Sequence, residues 1–122
     1  NATLNVGVCK VNEMLDLGIK PLLGSDNVML NSPNMFRELE FSLKLMSLYY
    51  KSYIDPAKLL QMATTNVCGH EINNIIQKSY IGEGNFAEFI VLKSFSKNPH
   101  LNVCNRCETK NILYTINKRT TV

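Results

Sequence analysis

Nowhere in this chain does an apolar run reach the ~18 residues that a membrane-spanning helix requires, so no such helix is expected within these residues. Cysteine is sparse. Four residues, Cys9, Cys68, Cys104 and Cys107, are unevenly spread over 122 positions, too few for a disulfide scaffold. Reduced thiols in a cytoplasmic protein are expected. Charge of one sign is also scarce: the net charge is +3. Residues 1–66 carry six basic and six acidic side chains, and residues 67–122 carry seven and four. That small excess is dispersed, so the electrostatic footprint of a nucleic-acid binder is missing. Neither nucleic acid nor a membrane is expected as a partner. Internal repeats and low-complexity tracts are absent. A signal-peptide pattern is absent too, and the chain opens on Asn1 in what reads as mid-pattern sequence. A trimmed chain, or a piece of a longer polypeptide, is the expectation.

What is present is enough for one modest globular domain: 45% of the residues are hydrophobic. The most informative stretch is Ile19-Lys20-Pro21-Leu22-Leu23-Gly24-Ser25-Asp26-Asn27. A short apolar run bounded by turn residues reads as a buried strand. It ends in a glycine, a hydroxyl residue and a carboxylate. In α/β folds the chemistry lies beyond the carboxyl ends of such strands. There a carboxylate can bind a metal or move a proton. Aspartate at a strand end also caps turns and helices, and position alone does not choose between these roles.

The rest of the chain alternates helix and strand signals. Val8, Val11, Met14 and Leu15 share a helix face, and Gly18 stands where a helix-ending glycine belongs. Ser32-Pro33 predicts the start of a long helix, with Phe36, Leu39, Leu43, Met46 and Tyr50 as its buried stripe. Glu38 and Glu40 near its start, and Lys44 and Lys51 near its end, suit the helix dipole. Asp55-Pro56 repeats the cap-and-proline signal and opens a helix that buries Leu59, Leu60 and Met62 or Ala63. A further short helix is expected over Cys68–Asn74. Strands follow at Phe89–Leu92, Leu101–Cys104 and Ile112–Ile116, with Asn117-Lys118 as a closing turn. Residues 1–78 thus read as α/β and residues 79–122 as short strands, too few for an independent sheet.

In that order and spacing, these residues resemble the carboxyl-terminal portion of a metal-dependent amidohydrolase. The branch is the one holding chlorohydrolases and deaminases of adenosine derivatives and guanine. Asn1–Gly7 is similar to the asparagine-leucine-glycine segment after barrel strand seven, and Val11–Gly18 to the helix before strand eight. Leu23-Gly24-Ser25-Asp26-Asn27 is similar to the leucine-glycine-threonine-aspartate ending strand eight, with Ser25 in place of threonine. Asn34–Leu39 resembles the helix opening that follows. Met62-Ala63-Thr64-Thr65-Asn66 resembles the methionine-alanine-threonine-x-asparagine that ends the next helix. Ile81–Leu92 is similar to the segment leading into a small β domain, and Ile112–Val122 to its closing strands.

The resemblance implies an α/β fold: the C-terminal part of a distorted (β/α)8 barrel in residues 1–78, then strands of a flanking β-sandwich in residues 79–122. It implies a hydrolase acting on a carbon–nitrogen or carbon–chlorine bond of a small-molecule ring substrate. Asp26 would be the catalytic residue, as metal ligand and proton shuttle. Ser25 and Asn27 would flank it as substrate contacts. The cofactor would be a divalent metal, zinc or iron, whose bound water ionises near neutrality. The family's histidine ligands come from earlier strands that this sequence does not contain. A catalytic zinc needs about three protein ligands, so the chain by itself is expected to hold no metal and to be inactive. Glu88 stands for the usual aspartate and Phe86 for a polar residue; both are expected to be structural changes.

Other constellations are weaker. Cys104-Asn105-Arg106-Cys107 with Cys68-Gly69-His70 could make a structural zinc site, but the spacing is unusual and free thiols are the expectation. His70 reads as a capping or helix-face residue and His100 as solvent-exposed. Tyr49, Tyr50 and Tyr53 read as core and rim, and Lys118-Arg119 as a solvated turn. The alternative to an enzyme is a truncated, catalytically silent assembly or binding module. In either case, exposed apolar edges are expected to drive self-association.

Overall fold

The computed structural model describes residues 7–26, 29, 31–51 and 53–118. Asn27 and all of the Asn1–Gly7 segment except Gly7 lie outside them, as does Arg119. In chain order the helices are α1 (Val11–Asp16), α2 (Met35–Tyr50), α3 (Pro56–Ala63) and α4 (Pro99–Asn105). The strands are β1 (Glu71–Ile72), β2 (Ile75–Ile76), β3 (Ala87–Leu92) and β4 (Ile112–Lys118). Single 3-10 turns cover Thr65–Val67 and Thr109–Asn111.

Capping explains where each main helix begins. Asp55 accepts a hydrogen bond from Ala57 N, with Pro56 at the first helical position. Asn98 accepts from Leu101 N, with Pro99 in the same role. For α2 the cap is Asn34, whose side chain accepts from Phe36 N and Arg37 N. That corrects the expected Ser32-Pro33 start: Asn34 satisfies two of the first-turn donors and leaves Ser32 and Pro33 outside the helix.

The core is the meeting of α2, α3 and α4, with α1 laid against it. Leu39, Leu43 and Met46 of α2, Leu59 and Met62 of α3, Ile54, Val11 and Cys104 are buried together. Leu59 and Cys104 are wholly inaccessible. Asn102 of α4 is a buried polar residue whose groups are all engaged. It accepts from Phe95 N at 2.7 Å, donates to Lys93 O at 3.1 Å and donates to Cys107 Sγ at 3.3 Å. Those bonds lash the chain after β3 to α4.

Two expected elements change type. Leu101–Cys104 is helical rather than extended, because Asn98-Pro99 caps and starts a helix that buries Cys104 against α2 and α3 and turns Asn102 towards residues 93–95. Cys68–Asn74 is not a helix. The chain makes a tight hairpin in which Glu71 pairs with Ile76 and Ile72 with Ile75. Asn73 and Asn74 carry it at φ of 52° and 61°, the positive values that a two-residue hairpin turn requires and that asparagine tolerates. Elsewhere β3 and β4 form an antiparallel pair from Ala87–Lys118 to Leu92–Ile112, irregular between Val91 and Leu92. β4 runs on through Asn117 and Lys118, where a turn is expected from the sequence.

Candidate functional site

The expected strand at Ile19–Leu23 is an extended segment without a ladder. An extended chain becomes a strand only when a neighbour takes up its backbone groups, and no strand lies beside it among the described residues. Its entry is fixed by the end of α1. Ile19 N donates to Met14 O at 2.9 Å, and Gly18 N to Leu15 O at 3.0 Å. Gly18 sits at φ 75°, so this is the Schellman pattern that only a residue tolerant of positive φ completes readily.

Two further bonds hold the segment's middle. Leu23 N donates to Met62 O at 2.9 Å, a carbonyl in the last turn of α3 with no helical partner to occupy it. Asn66 Nδ2 donates to Pro21 O at 2.9 Å. Burial then alternates as in any extended chain. Pro21, Leu23 and Ser25 are half-buried, Leu23 against the helical core, while Leu22, Gly24 and Asp26 are exposed. The segment ends at Asp26, whose φ is 40°. Left-handed backbone is uncommon outside glycine, and aspartate is among the few residues that tolerate it.

Asp26 stands on the rim of an open cleft of about 210 Å³. The walls are mostly apolar: Val8, Val11, Leu23, Phe41, Leu45, Met46 and Met62 line it. Glu38 and Ser42 of α2 and Asp26 supply the polar side chains. Sequence pattern accounts for Glu38 through the helix dipole alone; the structure puts it, half-buried, in the same cleft as Asp26. Neither carboxylate makes an ion pair among the described residues. Ser25, beside Asp26 in the chain, is half-buried and is not among the residues that line the cleft. Asn27 lies outside the described residues.

The cysteine and histidine candidates do not converge. Among the described residues no group of three or more His, Cys, Asp or Glu side chains could hold a metal ion. Cys68 Sγ accepts from Ser79 N, Cys104 Sγ donates to Pro56 O, and Cys107 Sγ lies between Asn102 and Lys93 O. Burial pushes the Cys104 thiol up to about 11, and raises that of Cys107 against the opposing hydrogen bond from Asn102. Such thiols stay protonated and inert. His70 and His100 are exposed, the latter in the first turn of α4 rather than in a loop. Tyr50, half-buried at the end of α2, donates through its hydroxyl to Cys9 O at 2.9 Å. Desolvation, and next the charge of Glu13, raise that phenol's pKa.

With this geometry in hand, the comparisons with known proteins are specific. The amidohydrolase family model matches residues 1–120. A putative aminohydrolase of Methanothermobacter thermautotrophicus is 39% identical over 118 residues, 97% of this chain and 29% of the relative. An uncharacterised protein of Methanocaldococcus jannaschii is 35% identical over 93% of this chain and 29% of the relative. The 5-methylthioadenosine/S-adenosylhomocysteine deaminase of Clostridium tetani is 37% identical over 90 residues, 68% of this chain and 21% of the relative. No solved structure matches. The chain therefore belongs to the amidohydrolase family, hydrolases built on (β/α)8 barrels that generally use a divalent metal. It spans less than a third of the length of the curated relatives it matches.

The described residues do not make a whole metal centre. Asp26 offers one exposed, hard oxygen donor, and they supply no set of three ligands around it. No helix among the described residues is long and apolar enough to cross a membrane.

Proposed function

We propose that this chain is the C-terminal part of a metal-dependent hydrolase that deaminates, or removes chlorine from, a small ring compound. Residues 1–78 supply its last βα units, and residues 79–122 supply strands of a flanking sandwich. The observation that carries the reading is the delivery of a carboxylate, Asp26, with no ion pair among the described residues, to a cleft at the end of an anchored extended segment. The family match and the adenosine-derivative deaminase among the relatives support the reaction class.

In this proposal Asp26 contributes one ligand to a zinc or iron centre whose other ligands lie elsewhere in a relative-length polypeptide. Its second task is acid–base. A carboxylate beside the reacting carbon takes the proton from attacking water and returns it to the leaving nitrogen. Ser25 and Asn27 are the proposed substrate contacts on the strength of flanking Asp26 in the chain; Ser25 is not itself in the cleft lining. Apolar walls suit the flat face of a ring.

The test is ammonia release from 5′-methylthioadenosine by the full polypeptide. Asp26→Asn keeps the size and the backbone preference but removes the base. It is expected to lower kcat by about 10²–10⁴-fold. An Asp26→Asn enzyme as fast as wild type contradicts the assignment.

A second reading, an assembly module, draws on the apolar surface. Leu17, Leu48, Tyr53 and Ile81 are each at least 77% exposed. Surfaces of that kind associate, so the isolated 122-residue chain is expected to sediment as oligomers at micromolar concentration. A monomer at every dilution removes this reading's support.

A further inference from the structure

The hydrogen bond between Asn66 and Pro21 joins residues 45 positions apart, and nothing about α3 or the 3-10 turn requires it. Asn66 sits in the turn Thr65–Val67 that follows α3. Its partly buried side-chain amide points across to the extended segment rather than capping its own turn. Pro21 has no N–H, so its carbonyl is the whole of its backbone hydrogen-bonding capacity. Two residues on, Leu23 donates its N–H to Met62 O. In an extended chain the carbonyl of one residue and the N–H two residues later point to the same side. The end of α3 thus presents one acceptor, Met62 O, and one donor, Asn66 Nδ2, at the spacing a neighbouring strand would use. These two bonds hold residues 21–23 where no strand does so among the described residues. Three residues later comes Asp26, in a backbone conformation of φ 40° that depends on the chain before it being fixed.

We infer that Asn66 is a positioning residue: its amide, through the Pro21 carbonyl, sets the height of the segment that carries Asp26 and so the placement of the Asp26 carboxylate. The inference rests on the reading of Asp26 as a metal ligand. Asn66 itself touches neither the cleft nor a reacting group; it acts through the backbone. Loss of its donor frees Pro21 O and leaves the Leu23 N–Met62 O bond to hold residues 21–23 alone among the described residues. The carboxylate then samples a wider arc, and a ligand that must lie within a few tenths of an ångström of an ion is weakened.

The experiment uses the full polypeptide and five proteins: wild type, Asn66→Ala, Asn66→Asp, Asp26→Asn and, as a packing control on α3, Leu60→Ala. Asn66→Asp has the same size but offers an acceptor where the donor was, so it stands in should Asn66→Ala fail to fold. Zinc affinity is read by competition with a chromophoric chelator, and amide exchange is read over residues 19–26. Both Asn66 variants are expected to bind zinc 10–100-fold more weakly and to exchange faster at Leu23. Leu60→Ala should do neither. Wild-type zinc affinity in the Asn66 variants, with Asp26→Asn weakened, overturns the inference and leaves the Asp26 assignment standing. Wild-type affinity in Asp26→Asn overturns the Asp26 assignment and the inference with it.

Discussion

The helices and the antiparallel β3–β4 pair share one chain but are held in different ways. Where α2, α3 and α4 meet, Leu39, Leu59, Met62 and Cys104 are buried to 4% exposure or less. In the strand pair, Phe89, Ile90, Val91, Leu113 and Tyr114 stay 37–67% exposed, on both faces. One region is stabilised by interdigitated side chains, the other mainly by its ladder. A two-stranded pair alone is marginal in water. Substitutions therefore act unequally: the helical core sets stability, and the strand pair waits for a covering surface.

The largest expected effect breaks the comparison at its strong end. Leu59→Ala removes a side chain with no exposure and is expected to cost about 2–5 kcal/mol in urea unfolding. Ile90→Ala, in the β3–β4 pair opposite Thr115, should cost under about 1 kcal/mol. Equal costs would erase the distinction. Alkaline pH probes the same core more gently. Burial lifts the Cys104 thiol from its ordinary 9.0 to about 11. The unfolded chain therefore loses this proton first, and the folded chain binds more protons than the unfolded one in that window. Stability tied to Cys104 is complete below pH 9 and falls as pH rises towards 11. In Cys104→Ala that part of the alkaline decline disappears; a wild-type slope in this variant refutes the burial argument. Smallest is the cap of α2. Asn34→Ala should cost about 1 kcal/mol, and Ser32→Ala, outside the helix, under about 0.5 kcal/mol. The reverse order would restore the start that the sequence pattern suggests.

Much of the helical part is legible from residue spacing. The stripe of Leu39, Leu43 and Met46, the Asp55 cap with Pro56, and Gly18 at the end of α1 all follow from local rules. Strands β3 and β4 are legible as β-rich runs between turn residues. What escapes has two physical causes. Short elements offer too few residues for a period: β1 and β2 have two each, and their Asn73-Asn74 turn is the better signal. In α4 the Asn98-Pro99 signal matches Asp55-Pro56, yet β-branched Val103 and the cysteines favour a strand on composition. The second cause is distance along the chain. Spacing predicts a buried strand ending at Asp26, where the structure has an extended segment with no strand beside it among the described residues; it foresees neither Glu38 in the same cleft nor Asn66 holding Pro21, since both depend on how α2 and α3 fold against residues 19–26.

The central claim is tested most directly by anomalous scattering at the zinc edge from crystals of the full polypeptide. A peak within about 2.0–2.2 Å of an Asp26 carboxylate oxygen is the result this account predicts. A fully occupied metal centre with Asp26 outside its coordination sphere would contradict it.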